Sequence, residues 1–168
     1  AAGMNEVIVA VLDESDIEEN DAATRITEAL RFTGAEAKPA TTGRVNIFAD
    51  KGGLFTVDKP LIDAINRVDP DATVATLSEF ANVVDGQMVA TVKIIPFALS
   101  ASVIDEIVGL AKGKTAFTVH AFKPQTVGIV QTTLATLKDS VLDKTLKVTE
   151  ARLARSGSRI SEERRTPH

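Results

Sequence analysis

Apolar and polar positions recur along this chain with two periods, and the points where the period changes mark its elements. An apolar run over residues 7–12 reads as a strand. Ser15-Asp-Ile-Glu18 has the spacing of a capping box, and Ala23, Ile26 and Leu30 recur on one helical face, which predicts a helix ending at a Gly34 C-cap. Residues 45–49 and 54–57 read as strands, and the glycines of Asp50-Lys-Gly-Gly53 between them predict a hairpin connection with positive φ. A short helix starts at Asp58, with Pro60 in its first turn, Leu61, Ile65 and Val68 on one face, and Asp69-Pro70 as its stop. Residues 73–76 read as a short strand. Asp85-Gly86 predicts a second hairpin, joining 81–84 to 87–95, and Met88, Ala90, Val92 and Ile94 in its second strand form an apolar face expected to be core. Pro96 closes that strand because it has no amide hydrogen for the ladder. Ser100 or Ser102 is placed to cap a helix that turns Val103, Ile104, Ile107, Val108 and Ala111 inward and ends at Gly113. Residues 115–122 form another strand.

After Lys123-Pro124-Gln125, which reads as a linker, the pattern changes. Val127-Gly-Ile-Val-Gln-Thr-Thr133, a loop, and a helical run over 141–156 with Leu142, Leu146, Thr149 and Leu153 as its inward stripe predict one βα unit of a buried parallel sheet, with a second strand after Gly157. The fold class expected is therefore α/β: a mixed α+β subdomain over residues 1–122, then the first βαβ unit of a parallel-sheet domain over 126–168. A doubly wound sheet needs more strands than this, and Ala1-Ala-Gly precedes Met4. The sequence reads as a fragment whose remaining domain lies past His168.

Composition narrows the function classes. With 44% hydrophobic and 25% charged residues the chain has a globular composition. No apolar run approaches the ~20 residues of a membrane helix and no export signal is visible, so a cytoplasmic protein without a membrane partner is expected. The absence of Cys excludes disulfides and thiolate metal sites, and with two His a metal site is not expected. A net charge of −4 with dispersed Lys and Arg argues against nucleic acid as partner, and Glu162-Glu163 offset Arg164-Arg165.

Candidate chemistry is sparse. Gly109-Leu-Ala-Lys-Gly-Lys-Thr115 has three residues before its Gly-Lys pair where a phosphate loop has four, and it leaves a helix, so it reads as a C-cap. Ser140, His120 and Asp143 do not make a hydrolytic triad without a nucleophile elbow, and no catalytic residue is assigned. Lys93, with Thr91 on the same strand face, offers an anion contact or a solvated surface. Thr132, Thr133, Lys138, Asp139, Ser140 and Asp143 surround the carboxyl end of the 127–133 strand and the following helix start, where open α/β sheets bind ligands and helix N-termini attract anions; Asp139 or Ser140 as a simple cap is the competing reading.

These residues carry a resemblance. The string 127–133, Leu137-Lys-Asp-Ser-Val-Leu-Asp-Lys-Thr145 and Arg152-Leu-Ala-Arg-Ser-Gly157 resemble the opening βαβ of the molybdopterin-binding fold of MogA-like and MoeA-like proteins. Thr42-Gly-Arg-Val-Asn46, Ile62-Asp-Ala-Ile-Asn66, Ala75-Thr-Leu77 and Gly86-Gln-Met-Val-Ala-Thr-Val-Lys-Ile-Ile-Pro-Phe97 are similar to the segment preceding that fold in stand-alone bacterial molybdopterin-binding proteins. The resemblance implies binding of molybdopterin or the molybdenum cofactor in its synthesis or delivery, and a ligand role for Asp143. It also points to molybdenum-cofactor enzymes or biosynthesis proteins as partners; a homo-oligomer is a further candidate, and the sequence leaves the oligomeric state open. Thr132-Thr133-Leu134 replaces the Gly-Asp-Glu turn of MoeA-like proteins, which removes an acidic group associated with molybdate insertion. The alternatives are a non-catalytic interaction or regulatory module that retains the fold, and an unrelated nucleotide-binding enzyme.

Overall fold

The computed structural model describes residue 9 and residues 11–167. The chain is mixed α/β and divides into two compact units, Ala1–His120 and Ala121–His168. The strand read over 7–12 falls largely outside the described residues; Val9, Val11 and Leu12 carry no regular structure.

The first unit opens with β1 (Asp16–Glu18) and α1 (Glu19–Ala29). The expected cap at Ser15 is corrected: Asp16–Glu18 extends to pair with a later strand, and the Glu18 carboxylate accepts from the Asn20 and Asp21 amides instead. Helix α1 also stops earlier than expected. Leu30 ends it, β2 (Arg31–Thr33) follows at once, and Gly34 (φ +74°) turns the chain into β3 (Ala35–Ala37). A Cβ at Gly34 would lie 2.4 Å from the Val119 carbonyl oxygen, so space as well as φ demands glycine.

β4 (Arg44–Ala49), β6 (Ala72–Thr76) and β8 (Met88–Ile94) join β3 in an antiparallel sheet of order β3-β4-β8-β6. β5 (Gly53–Val57), β7 (Asn82–Val83) and β10 (Thr115–Ala121) belong with β2 to a second sheet of order β2-β10-β5-β7, in which β2 and β10 run parallel. Neither expected hairpin forms, because β4 and β5 lie in different sheets, as do β7 and β8. Gly52 and Gly53 have no positive φ. Gly53 is instead a close-approach residue, with an added Cβ 2.3 Å from the His120 carbonyl oxygen. β9 (Ala98–Ser100) pairs with β1.

Short helix α2 (Lys59–Ile65) starts where expected, with Pro60 in its first turn and Asp58 accepting from the Leu61 amide at 3.0 Å, but it ends at Ile65, before Val68 and the expected Asp69-Pro70 stop. Helix α3 (Ala101–Ala111) buries Ile104, Ile107 and Ala111, and Gly113 follows with φ +76°. The core joins these residues to Ile26, Ile47, Ile65, Val74 and Val92, and a run of rings crosses three adjacent strands: Phe32 stacks on Phe117 at 5.0 Å, and Phe55 packs tilted against Phe117 at 5.6 Å. Ala90, Val92 and Ile94 are buried as expected, but Met88 is 48% exposed and Val89 is buried in its place. A bulge between Ile47 and Phe48, opposite Ala90 and Met88, inverts the alternation at that end of β8.

The second unit consists of β11 (Thr126–Thr133), α4 (Asp139–Ala154) and β12 (Arg159–Pro167). β11 and β12 pair in parallel from Thr126↔Arg159 to Thr133↔Pro167, with Ser161 as an extra bulge residue on β12. Leu142 is the buried residue of α4, and Leu146, Thr149 and Leu153 continue the expected stripe half-buried. The strands themselves are not buried as a parallel sheet's usually are; in β11 only Gln131 is.

Candidate functional site

Residues on the helix-facing side of β11 alternate with exposed ones, so Val127, Ile129, Gln131 and Thr133 point toward α4. The inward Gln131 is polar and 7% exposed, and its side-chain amide nitrogen makes two bonds, donating to the Leu142 carbonyl at 3.2 Å and to Glu163 Oε1 at 2.7 Å. Glu163 accepts from Arg165 Nε at 2.7 Å, and Arg165 Nη2 donates to Asp143 Oδ1 at 2.6 Å. Asp139 stands 4.0 Å from Arg165 Nη1. This chain of polar contacts ties both strands to the first two turns of α4. The Arg165 guanidinium, followed by the Gln131 amide, holds the Glu163 carboxyl below its ordinary range, and Glu163 and Asp143 hold Arg165 in its charged form.

Six of the sequence-predicted residues converge at this end of the unit. Thr132 is exposed at the strand end, and the Thr133 hydroxyl donates to the Thr166 carbonyl at 3.2 Å. Lys138 occupies the N-cap position of α4 without capping it, Asp139 begins the helix with its side chain 85% exposed, and Ser140 is exposed beside it. Neither Asp139 nor Ser140 caps the helix by a side-chain bond. Asp143 is engaged by Arg165, which makes it a residue that fixes the helix start. Lys93 lies in the first unit, exposed on β8 opposite Arg44 and Thr73. Its neighbour Thr91 is committed to the Val45 carbonyl and to Asn46.

Sequence reasoning missed Gln131, Glu163 and Arg165. The available signal was parity: Gln131 shares the inward face with two apolar residues, and Glu163 and Arg165 are two apart on β12, so a buried amide facing an ion pair was legible once the strands were paired. His120, whose Nε2 lies 2.9 Å from the Thr56 hydroxyl, is exposed and belongs to the first unit, whereas Ser140 and Asp143 belong to the second. Among the described residues no group of three or more acidic or His side chains is disposed to hold a metal, and no helix is long and apolar enough to cross a membrane. Comparison with family models, curated proteins and solved structures found no match for this chain.

Proposed function

We propose that the protein binds molybdopterin, or the finished molybdenum cofactor, where α4 begins at the carboxyl end of β11, in the synthesis or delivery of that cofactor. The supporting observation is the helix start itself: a sixteen-residue helix whose first turn no side chain caps, flanked by Lys138, Ser140 and the Thr133 hydroxyl. These groups fit a phosphate ester, since the helix dipole, the hydroxyls and an ammonium all favour an anion. The exposed Asp139 carboxylate fits the amino-bearing edge of a pterin, and Asp143, neutralised by Arg165, adds no bare charge. The resemblance of residues 86–97 and 127–157 to molybdopterin-binding proteins points to the same ligand class.

The test is a titration followed by the fluorescence of an oxidised pterin, against which a chain with no Trp and no Tyr contributes little background. Lys138→Ala is expected to weaken binding ten- to a hundredfold, about 1.5–3 kcal/mol for one charge-assisted contact. Equal affinity of the variant and the parent refutes the site. Absence of binding by the folded parent leaves the second reading, a non-catalytic interaction module, which is favoured by a separate observation: among the described residues, β11 and β12 each have a strand neighbour on one side only.

A further inference from the structure

In the first unit two cations stand side by side. Arg44 on β4 and Lys93 on β8 are direct cross-strand partners, and both are exposed. Residues so paired have Cβ atoms about 4.5–5.5 Å apart, and like charges directly opposite one another destabilise a sheet. Among the described residues nothing offsets the pair: neither side chain is in an ion pair, and Thr73, the partner of Lys93 on its other side, is uncharged. Asp71, whose carbonyl accepts from the Ile95 amide just past Lys93, makes no ion pair with it. Two further observations fall on the same spot. Asn46, two residues from Arg44 on the same side of β4, is half-buried; its side-chain oxygen accepts from the Thr91 hydroxyl at 2.9 Å, which leaves its side-chain nitrogen a donor without a partner among the described residues. The turn that delivers Arg44 is strained and locked. Thr42, a β-branched residue, has φ +47° beside Gly43 at +66°, Thr41 and Arg44 exchange both backbone hydrogen bonds at 2.9 and 3.1 Å, and the Gly43 carbonyl accepts from the Ile94 amide at 2.7 Å. Backbone strain of this kind gathers where a ligand is clamped.

We infer that Arg44 and Lys93 form an anion site that holds a phosphate dianion, free or as a monoester, with the side-chain nitrogen of Asn46 as a further donor. One dianion neutralises both cations and removes their mutual repulsion. The guanidinium supplies paired N–H donors that match two phosphate oxygens, and the ammonium supplies a point charge beside them. Both groups stand on paired strands, which fixes their spacing before the anion arrives. A chain with a net charge of −4 repels anions as a whole, so a phosphate needs such a local pair of cations to be held. The inference rests on residues of the first unit alone and is independent of the reading for the α4 helix start.

The probe is inorganic phosphate added to the ¹⁵N-labelled full chain, with sodium chloride at equal ionic strength as the comparison. Phosphate should shift the amides of Arg44, Asn46, Val92 and Lys93 saturably, and chloride should not. Arg44→Gln and Lys93→Gln, each with an otherwise native amide spectrum, should weaken phosphate at least tenfold, whereas Lys138→Ala at the α4 start should leave these shifts unchanged. Glycerol 2-phosphate separates the two sources: shifts at the same amides show that the site takes a monoester, and a response to inorganic phosphate alone shows that it takes the free anion. Without ligand, Lys93→Gln should resist urea at least as well as the parent, because a repulsion has been removed. A parent without saturable shifts, shifts that chloride reproduces, equal phosphate affinity of the parent and both glutamine variants, or a urea midpoint lowered by Lys93→Gln overturns the inference. Failure of the pterin titration at Lys138 would leave all of these results untouched.

Discussion

Gly53 and Gly109 should respond in opposite ways to one added methyl group. At Gly53 the new Cβ would be driven to 2.3 Å from the backbone oxygen of His120, and overpacking against backbone costs about 1–3 kcal/mol or more. Gly109 lies inside α3 with nothing within 4 Å, so Gly109→Ala should stabilise by about 0.5–1 kcal/mol through helix propensity. Urea midpoints of the two variants check both signs. Adjacent β8 residues make a second contrast: Val92 is fully buried and Lys93 exposed, so Val92→Asp should unfold or aggregate the protein while Lys93→Ala changes little. The reverse order would mean that the strand register is shifted by one residue. Glu163 adds a pH dependence. Its folded pKa is depressed, so its contribution to stability is present above the ordinary glutamate range and fades as pH falls through the lower folded value. Glu163→Gln should flatten the acid limb of stability against pH; an unchanged limb would remove the Arg165 contact from the account.

At the scale of elements, Asp58 caps α2 by a side-chain bond where the sequence reading showed only a helix start, and Asp58→Ala should cost about 1 kcal/mol, measured by chemical denaturation. The helices were legible because α2, α3 and α4 each carry their period within one local stretch, as Leu142, Leu146, Thr149 and Leu153 do, although α2 stops before the expected Asp69-Pro70. The parallel β11–β12 pair was legible for the same reason, a strand followed by a helix and another strand at short range. The hairpins were not. Asp50-Lys-Gly-Gly53 and Asp85-Gly86 mark a change of direction, but which sheet the next strand joins is decided by distant partners, Val83 for Gly53 and Ile47 for Ala90. The bulge that exposes Met88 is likewise a product of pairing. At the candidate site the strand-end hydroxyls and the helix start could be read locally. The pairing of Asp143 with Arg165, twenty-two residues away, depended on the partnership of β11 and β12 and could not be read locally.

The two units differ in what holds them. The first rests on a continuous apolar core, while Leu142 is the only buried apolar side chain among the described residues of the second, which depends on the polar chain from Gln131 to Asp143. Amide hydrogen exchange should therefore be faster in β11, α4 and β12 than in β4 and β8, and binding at the helix start should slow it. The most direct test of the central claim is amide NMR of the ¹⁵N-labelled chain titrated with molybdopterin. Saturable shifts at Thr133, Asp139, Ser140 and Val141, with the amides of α3 unmoved, are the expected result. Shifts absent from those four residues, or confined to the first unit, would contradict it.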